Sequence, residues 1–283
     1  MTKEIKLVRK DNTIPYLSFP ALEATGIVRH LFTTREGGVS TGYQSSLNVN
    51  YNQGNEPDAV RENYNRIAKA LGVTADKIIA SDQTHTTNVE RVGLNEAGLG
   101  VTRPLESSDI DGLITNEPGI VLAKIFADCV PLYFVDPVKK SIGLSHSGWK
   151  GTIGRIGQKT IEKMQEEFGS NPADIITAIG PSICQDCYEV SEEVALKFLN
   201  EFGASRYCED KDILAYLNKE KLPERKYQLN LWEANRIVLL ESGIKEENIH
   251  SSELCTCCNS ELLFSHRASN GKRGNVGAFL GLL

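Results

Sequence analysis

At 283 residues, with a formal net charge of -6 and a pI near 5.5, the chain argues against the broad basic surface that nucleic acid or anionic lipid requires. An apolar fraction of 40% beside 24% charged residues is that of an ordinary globular protein and excludes disorder and fibrous repeats. The opening "MTKEIKLVRKDNTIPYLSF" has no uninterrupted apolar core of the signal-peptide kind, and no segment reaches about 18 consecutive apolar residues; the expectation is a cytoplasmic protein with a small-molecule partner, without nucleic acid or membrane, and with homo-oligomerisation left open.

Taken in chain order, "GNEPDAVRENYNRIAKALG" places Val60, Tyr64, Ile67, Ala68 and Leu71 at helical spacing, with Pro57 early and Gly72 as a stop, which predicts an amphipathic helix. "DKIIASDQTHTTNVERV" reads as two short strands around a polar break that holds Gln83 and His85. Between Ile120 and Ser145 the runs "IVLAKIFA", "LYFVD" and "SIGLS" have the length and apolarity of buried strands and predict the centre of the sheet. "TIGRIGQKTIEKMQEEFG" then aligns Ile153, Ile156, Thr160, Ile161, Met164 and Phe168 on one face, a helix to cover that sheet, ended by Gly169. "DIITAIG" is a further strand; "SEEVALKFLNEFG" and "NLWEANRIVLLESG" are helices capped by Ser191 and Asn230. The tail "ELLFSHRASNGKRGNVGAFLGLL" predicts two closing strands joined by a Gly-rich turn. With no repeat or linker in between, the alternation predicts one α/β domain over 1–283.

Three residues stand out chemically. His85 in "DQTHTTNV", Cys129 in "FADCVPLYF" and His146 in "LSHSGWKGT" each follow a strand-like run, 44 and 17 positions apart, so one sheet edge can bring them together. Two imidazoles and a thiolate suit zinc, and three protein ligands leave the fourth position open, as in catalytic sites. The spacing is not diagnostic by itself, and packed or hydrogen-bonded side chains are the alternative.

Seven cysteines, at 129, 184, 187, 208, 255, 257 and 258, are an odd number, better read as reduced thiols or metal ligands than as a disulfide framework. "CQDC" holds Cys184 and Cys187, and "CTCC" holds Cys255, Cys257 and Cys258. The spacing Cys-x-x-Cys serves metals and redox chemistry alike. Without an expected partner motif, reduced or packed thiols are the preferred reading over a second zinc.

The blocks "FTTREGGVS", "SLNVN", "DQTHTTNV", "DGLITNEPGIVLAKIFADCVPLYFVD", "HSGWKGT", "AIGPSICQDCYEV" and "CTCCNSELLFSHR" together resemble the YfiH or laccase-domain family, labelled both polyphenol oxidoreductase and purine nucleoside phosphorylase. The resemblance runs in order from about Phe32 to the end of the sequence. It implies a zinc held by His85, Cys129 and His146, in a fold of α+β type with mixed sheets flanked by helices. It also implies phosphorolysis and deamination of adenosine, and phosphorolysis of inosine, guanosine and methylthioadenosine. Three departures are evident: Thr86 where a glycine usually follows the first histidine, Lys150 for a frequent arginine, and "KRGNVGAF" for a common Gly-Arg.

In deamination, zinc-activated water would attack C6 of adenosine, and a carboxylate outside the ligand set would move the proton; Asp111 and Asp128 are the candidates. Asp128 is equally suited to orienting the site. Phosphorolysis requires a cationic cradle, for which Arg35 with Glu36-Gly37-Gly38 is the first choice and Lys150 and Arg273 are weaker ones, each with a solvated surface charge as its alternative. Asn48 is a ribose or base contact on resemblance, or else a turn residue. His30 reads as a core histidine and His266 as a packing residue. Rival readings are a copper-dependent phenol oxidase, disfavoured by only five histidines; a cysteine hydrolase using Cys129 and His146, acting on peptidoglycan precursors; and a binding protein with a structural metal. Copper can displace zinc in vitro.

Overall fold

The computed structural model describes residues 5–52, 57–106, 108–207, 213–217 and 225–283; Cys208 lies outside them. Strands run β1 (Lys6–Val8), β2 (Tyr16–Ser18), β3 (Val28–Thr33), β4 (Ile78–Ala80), β5 (Val89–Arg91), β6 (Gly112–Thr115), β7 (Val121–Phe126) and β8 (Val130–Asp136). They continue as β9 (Ser141–Ser147), β10 (Ile176–Ile179), β11 (Glu189–Ser191), β12 (Leu214–Leu217), β13 (Lys226–Leu229), β14 (Ile249–Ser251) and β15 (Val276–Leu282). The helices are α1 (Pro20–Glu23), α2 (Pro57–Leu71), α3 (Trp149–Ile153), α4 (Ile156–Phe168), α5 (Glu192–Phe202) and α6 (Leu231–Glu241).

Two six-stranded mixed sheets form, ordered β1-β2-β3-β15-β7-β4 and β14-β10-β8-β9-β6-β5, beside a small sheet β11-β13-β12. Strand side chains alternate faces, and here both faces are apolar, so each large sheet is covered twice. Tyr133, Val135, Ile142 and Leu144 of the second sheet meet Leu122, Phe126, Ala278 and Leu280 of the first. On the outer side of the first sheet, Leu31, Val121, Ala123 and Phe279 pack on Val60, Tyr64, Ile67 and Leu71 of α2. On the outer side of the second, Val130, Leu132 and Phe134 pack on Ile156, Ile161 and Met164 of α4 and Ile237 and Val238 of α6. The result is four layers, helix, sheet, sheet, helices, and full burial of each such side chain stabilises by roughly 1.5–3 kcal/mol.

The expected mixed α/β architecture is therefore present, with three local corrections. The runs predicted as one sheet centre divide: β8 and β9 are central to the second sheet, whereas β7 belongs to the first and pairs with β15 and β4. An apolar run shows that a strand is buried without showing in which of two stacked sheets. The helix expected from Thr152 breaks, because Arg155 adopts left-handed backbone angles (φ 61, ψ 43) between α3 and α4 and its guanidinium reaches Glu201 and Glu241. Only one closing strand forms from the tail, since β15 already has β3 and β7 on either side; Leu263 and Phe264 are buried outside any strand. The caps Ser191 and Asn230 accept amide hydrogens from Val194 and Glu233 as expected.

Candidate metal centre and cavity

Three pieces of chain meet at one end of the sandwich. Residues 127–129 carry the chain from β7 in the first sheet to β8 in the second, the 81–88 loop makes the same crossing from β4 to β5, and β9 delivers His146 as its penultimate residue. One nitrogen from each of His85 and His146 and the sulfur of Cys129 lie within 4.8 Å of one another. Cys129 Sγ is 4.0 Å from His85 Nε2, and the two imidazole rings cross at 78° with centroids 4.9 Å apart. Gly148, just beyond β9, makes room: a Cβ there would stand 2.9 Å from His85 Cδ2 and 3.1 Å from Cys129 Sγ.

Asp111, immediately before β6, organises this trio. It is fully buried, and its Oδ1 lies 2.7 Å from His146 Nδ1. The amide hydrogens of Thr84, His85 and Thr86 also point at its carboxylate, at 3.1, 3.2 and 2.9 Å. The 81–88 loop is thus wound around one anion, which holds His85 at a left-handed φ of 68° that a non-glycine residue rarely adopts. Burial alone would raise the Asp111 carboxyl; the hydrogen bond and charge of His146 and the Thr86 and Thr84 amides outweigh it and bring the pKa down to about 2. Burial lowers His146 against the opposing pull of Asp111; its Nδ1 faces the carboxylate and its Nε2 is left for a metal, the usual carboxylate–histidine–metal relay. Thr86, the departure from the usual glycine, brings its hydroxyl to 3.1 Å from Asp111 Oδ2 and 2.9 Å from Asp109 O.

Cys129 is half-buried. Burial pushes its thiol up to about 12, reinforced by Asp128 and opposed by Arg273, so without a cation beside it the sulfur stays protonated. Asp128, at φ 86°, accepts from the Thr256 hydroxyl at 2.6 Å and the Arg267 amide at 2.7 Å. The trio opens into a cavity of about 920 Å³, bounded among others by Tyr51, Arg103, Trp149, Tyr188, Arg267 and Arg273. That size suits a small molecule of nucleoside dimensions.

The remaining sequence candidates are placed as follows. Arg273 lines this cavity, its Nη1 2.6 Å from Asn275 Oδ1. Arg35 does not reach it: the guanidinium donates to Ser45 O and Ser260 O, stacks 4.7 Å from the Phe264 ring, and borders a separate small pocket. Three of its five N–H donors hold backbone carbonyls and it stands outside the lining of the cavity that the metal trio opens into, so the expected anion cradle is not part of that cavity. Asn48 is fully buried and ties Asn50 and Asn275 together rather than facing the cavity, so its turn role is the one realised. Lys150 is exposed beside Trp149, outside the cavity lining. His266, expected to pack, instead lines the cavity and is exposed; His30 is a core residue as expected, its Nε2 accepting the Phe19 amide at 2.8 Å. Sequence reasoning passed over Lys124, fully buried on the inter-sheet face of β7, donating to Ile110 O at 2.7 Å and to Ser81 Oγ. A lone cation inside "VLAKIF" was the available signal.

A family model described as "Multi-copper polyphenol oxidoreductase laccase" matches residues 29–283. The chain belongs to this laccase-domain family. A relative of this laccase-domain chain, the purine nucleoside phosphorylase YlmD of Bacillus subtilis, is 38% identical over 254 residues, covering 89% of this chain and 87% of its own. A purine nucleoside phosphorylase of Bacteroides thetaiotaomicron is 32% identical over 92% of this chain and 93% of its own. Among solved structures, Bacillus licheniformis hypothetical protein YfiH superposes with a TM-score of 0.87 at 34% identity, over 97% of this chain and 98% of that one. YlmD from Geobacillus stearothermophilus superposes with 0.84 at 32%, over 98% of each. The laccase-domain fold expected from the motifs is shared along nearly the whole length.

Proposed function

We propose that this chain is a zinc-dependent purine nucleoside enzyme, cleaving adenosine, inosine, guanosine and methylthioadenosine with phosphate and deaminating adenosine, and that residues 1–283 act as one domain in the cytoplasm. The observation that carries the reading is the convergence of His85, Cys129 and His146 at the base of a nucleoside-sized cavity, in a chain whose relatives bear the name purine nucleoside phosphorylase. The donor set, two nitrogens and one sulfur with one coordination position open, fits zinc. An ion held there by His85, Cys129 and His146 would supply Lewis acidity at this end of the cavity.

The chain's own residues supply the rest. Asp111 fixes the tautomer and rotation of His146, and as an acceptor for five groups it orients rather than shuttles protons. Asp128, bonded to Thr256 and Arg267, positions the turn that carries Cys129. Tyr51, Trp149 and Tyr188 offer apolar faces for a purine, and Arg267 and Arg273 bring positive charge to the same cavity, where a phosphate oxygen would form its bond to C1′ as the C1′–N9 bond breaks and the purine leaves with the electron pair. In deamination, water adds at C6 and ammonia departs.

A multicopper oxidase is not favoured, because five histidines cannot furnish several copper sites. A cysteine hydrolase is not favoured either: two imidazoles, His85 and His146, converge on Cys129, which is the donor set of an open metal site rather than of a single nucleophile–base pair. The deciding experiment is product analysis with metal-quantified protein and adenosine, with and without phosphate, beside His146→Ala. Adenine with ribose 1-phosphate only in the presence of phosphate, or inosine without it, both lost in the variant, is the expected result. A zinc-loaded wild type that yields neither product would sink the reading.

A further inference from the structure

A second group of potential ligands lies behind the cavity wall. Cys184 and Cys187 follow β10; Cys255 and Cys258 follow β14, the strand that pairs with β10 in parallel. The parallel pairing sends both strands out of the same end of the sheet, and a bridge between Ser182 and Cys255 keeps the two loops side by side. Backbone bonds Ser182 N to Leu254 O (3.2 Å) and Thr256 N to Ser182 O (3.1 Å) continue the register. Two Cys-x-x-Cys pairs, remote in sequence, thereby face each other.

The four sulfurs all lie within 4.8 Å of one another, with Cys187 to Cys258 at 3.4 Å and Cys184 to Cys258 at 4.0 Å. A tetrahedral zinc with four Zn–S bonds of about 2.3 Å places its sulfurs about 3.8 Å apart, within this range. Disulfide bonding requires about 2.05 Å, and all four thiols are free. The amide hydrogens of Cys184 and Cys258 both point at Cys255 Sγ, at 3.3 Å each. Donors aimed at a buried sulfur (Cys255 is 5% exposed) are an arrangement suited to a thiolate rather than a neutral thiol. Cys257 is not one of the four, although its side chain interacts with Cys187.

We propose that Cys184, Cys187, Cys255 and Cys258 hold a structural zinc ion in a closed four-thiolate site, separate from the His85–Cys129–His146 centre. Four protein ligands leave no open position, so this ion supplies folding energy, not chemistry. Each thiol gives up its proton to solvent as its sulfur joins the metal. The ion fastens two loops that form the cavity wall: Ile183 and Tyr188 line the cavity on one, and Thr256 on the other donates to Asp128. Arg267 completes the link, with Nη1 on Cys187 O at 3.1 Å and its amide on Asp128.

The test is metal analysis of full-length protein purified under reducing conditions without added metal, as wild type, His146→Ala and Cys187→Ser/Cys258→Ser. The site is supported if His146→Ala retains one zinc per chain that the doubly substituted protein lacks, whether or not the wild type carries a second. X-ray absorption on His146→Ala is expected to show four sulfurs at about 2.3 Å, a readout that does not depend on the cysteine variant folding. Metal-free His146→Ala that is folded and has all these thiols reactive would overturn the proposal, as would a wild type in which Cys187 and Cys258 are recovered as a disulfide.

Discussion

Replacing Asp111 by Asn is nearly isosteric but removes the charge around which the 81–88 loop is wound. With the new NH₂ in the place of Oδ1, the His85 amide and His146 Nδ1 would face it; in the place of Oδ2, the Thr84 and Thr86 amides and the Thr86 hydroxyl would. The carboxyl is fully buried, and its pKa falls from 3.8 to about 2; at 1.36 kcal/mol per unit this is roughly 2–3 kcal/mol of stability. A depressed carboxyl contributes that stability above its unfolded pKa and loses it as pH falls from about 4 towards 2, so it is fully present at neutral pH. Asp111→Asn is therefore expected to lower the urea-unfolding free energy of metal-free protein at pH 7 by roughly that amount and to weaken zinc binding about 10- to 100-fold. Both are measurable, the first by denaturant titration and the second by competition with a chromogenic chelator. A variant with unchanged zinc affinity would refute the claim that Asp111 orients His146, even if its stability fell.

Gly148→Ala is expected to keep the fold, since φ -74 and ψ 177 suit alanine, yet to lose at least about tenfold in zinc affinity because the new Cβ meets His85 and Cys129; equal affinity by the same competition assay would show that the ligands give way freely. His30, brought down to about 4 by burial against a weaker opposing pull from Glu23, binds its proton later than the unfolded chain does. Stability should thus fall by up to roughly 3 kcal/mol as pH drops from 6.5 to 4, and an NMR titration placing the His30 ring near 6.5 would contradict this. Lys124, lowered to about 7 by burial despite Asp111, Glu90 and Asp82, binds fewer protons folded than unfolded between about 7 and 10.5. Lys124→Met is accordingly expected to gain most over wild type at about pH 6 and progressively less towards about pH 9 in denaturant titrations; an advantage that grows with pH would overturn the assignment.

The helix α2 was legible because Pro57, the apolar stripe and Gly72 are all local signals, and the metal trio because its motifs are short and chemically unusual. What remained hidden depends on distance. Which sheet owns β7 is decided by β15, whose residues are more than 140 positions further on. Arg35 looked like an anion binder beside two glycines, but Ser260 claims it across 225 positions. The four-cysteine group likewise rests on a β10–β14 pairing that no local pattern announces, and Lys124 was masked by the apolar run around it.

The position of β15 between β3 and β7 also bears on the order in which the protein can be made. A chain growing from its first residue displays His85, Cys129 and His146 long before residues 276–282 exist, yet β3 and β7 have no common partner until that strand slides between them. The first sheet, and with it one wall behind the metal centre, is completed only when residue 282 has cleared the ribosome. Nascent chains must wait with an open, apolar seam in the middle of that sheet, the interval in which they are most exposed to aggregation and most in need of a chaperone.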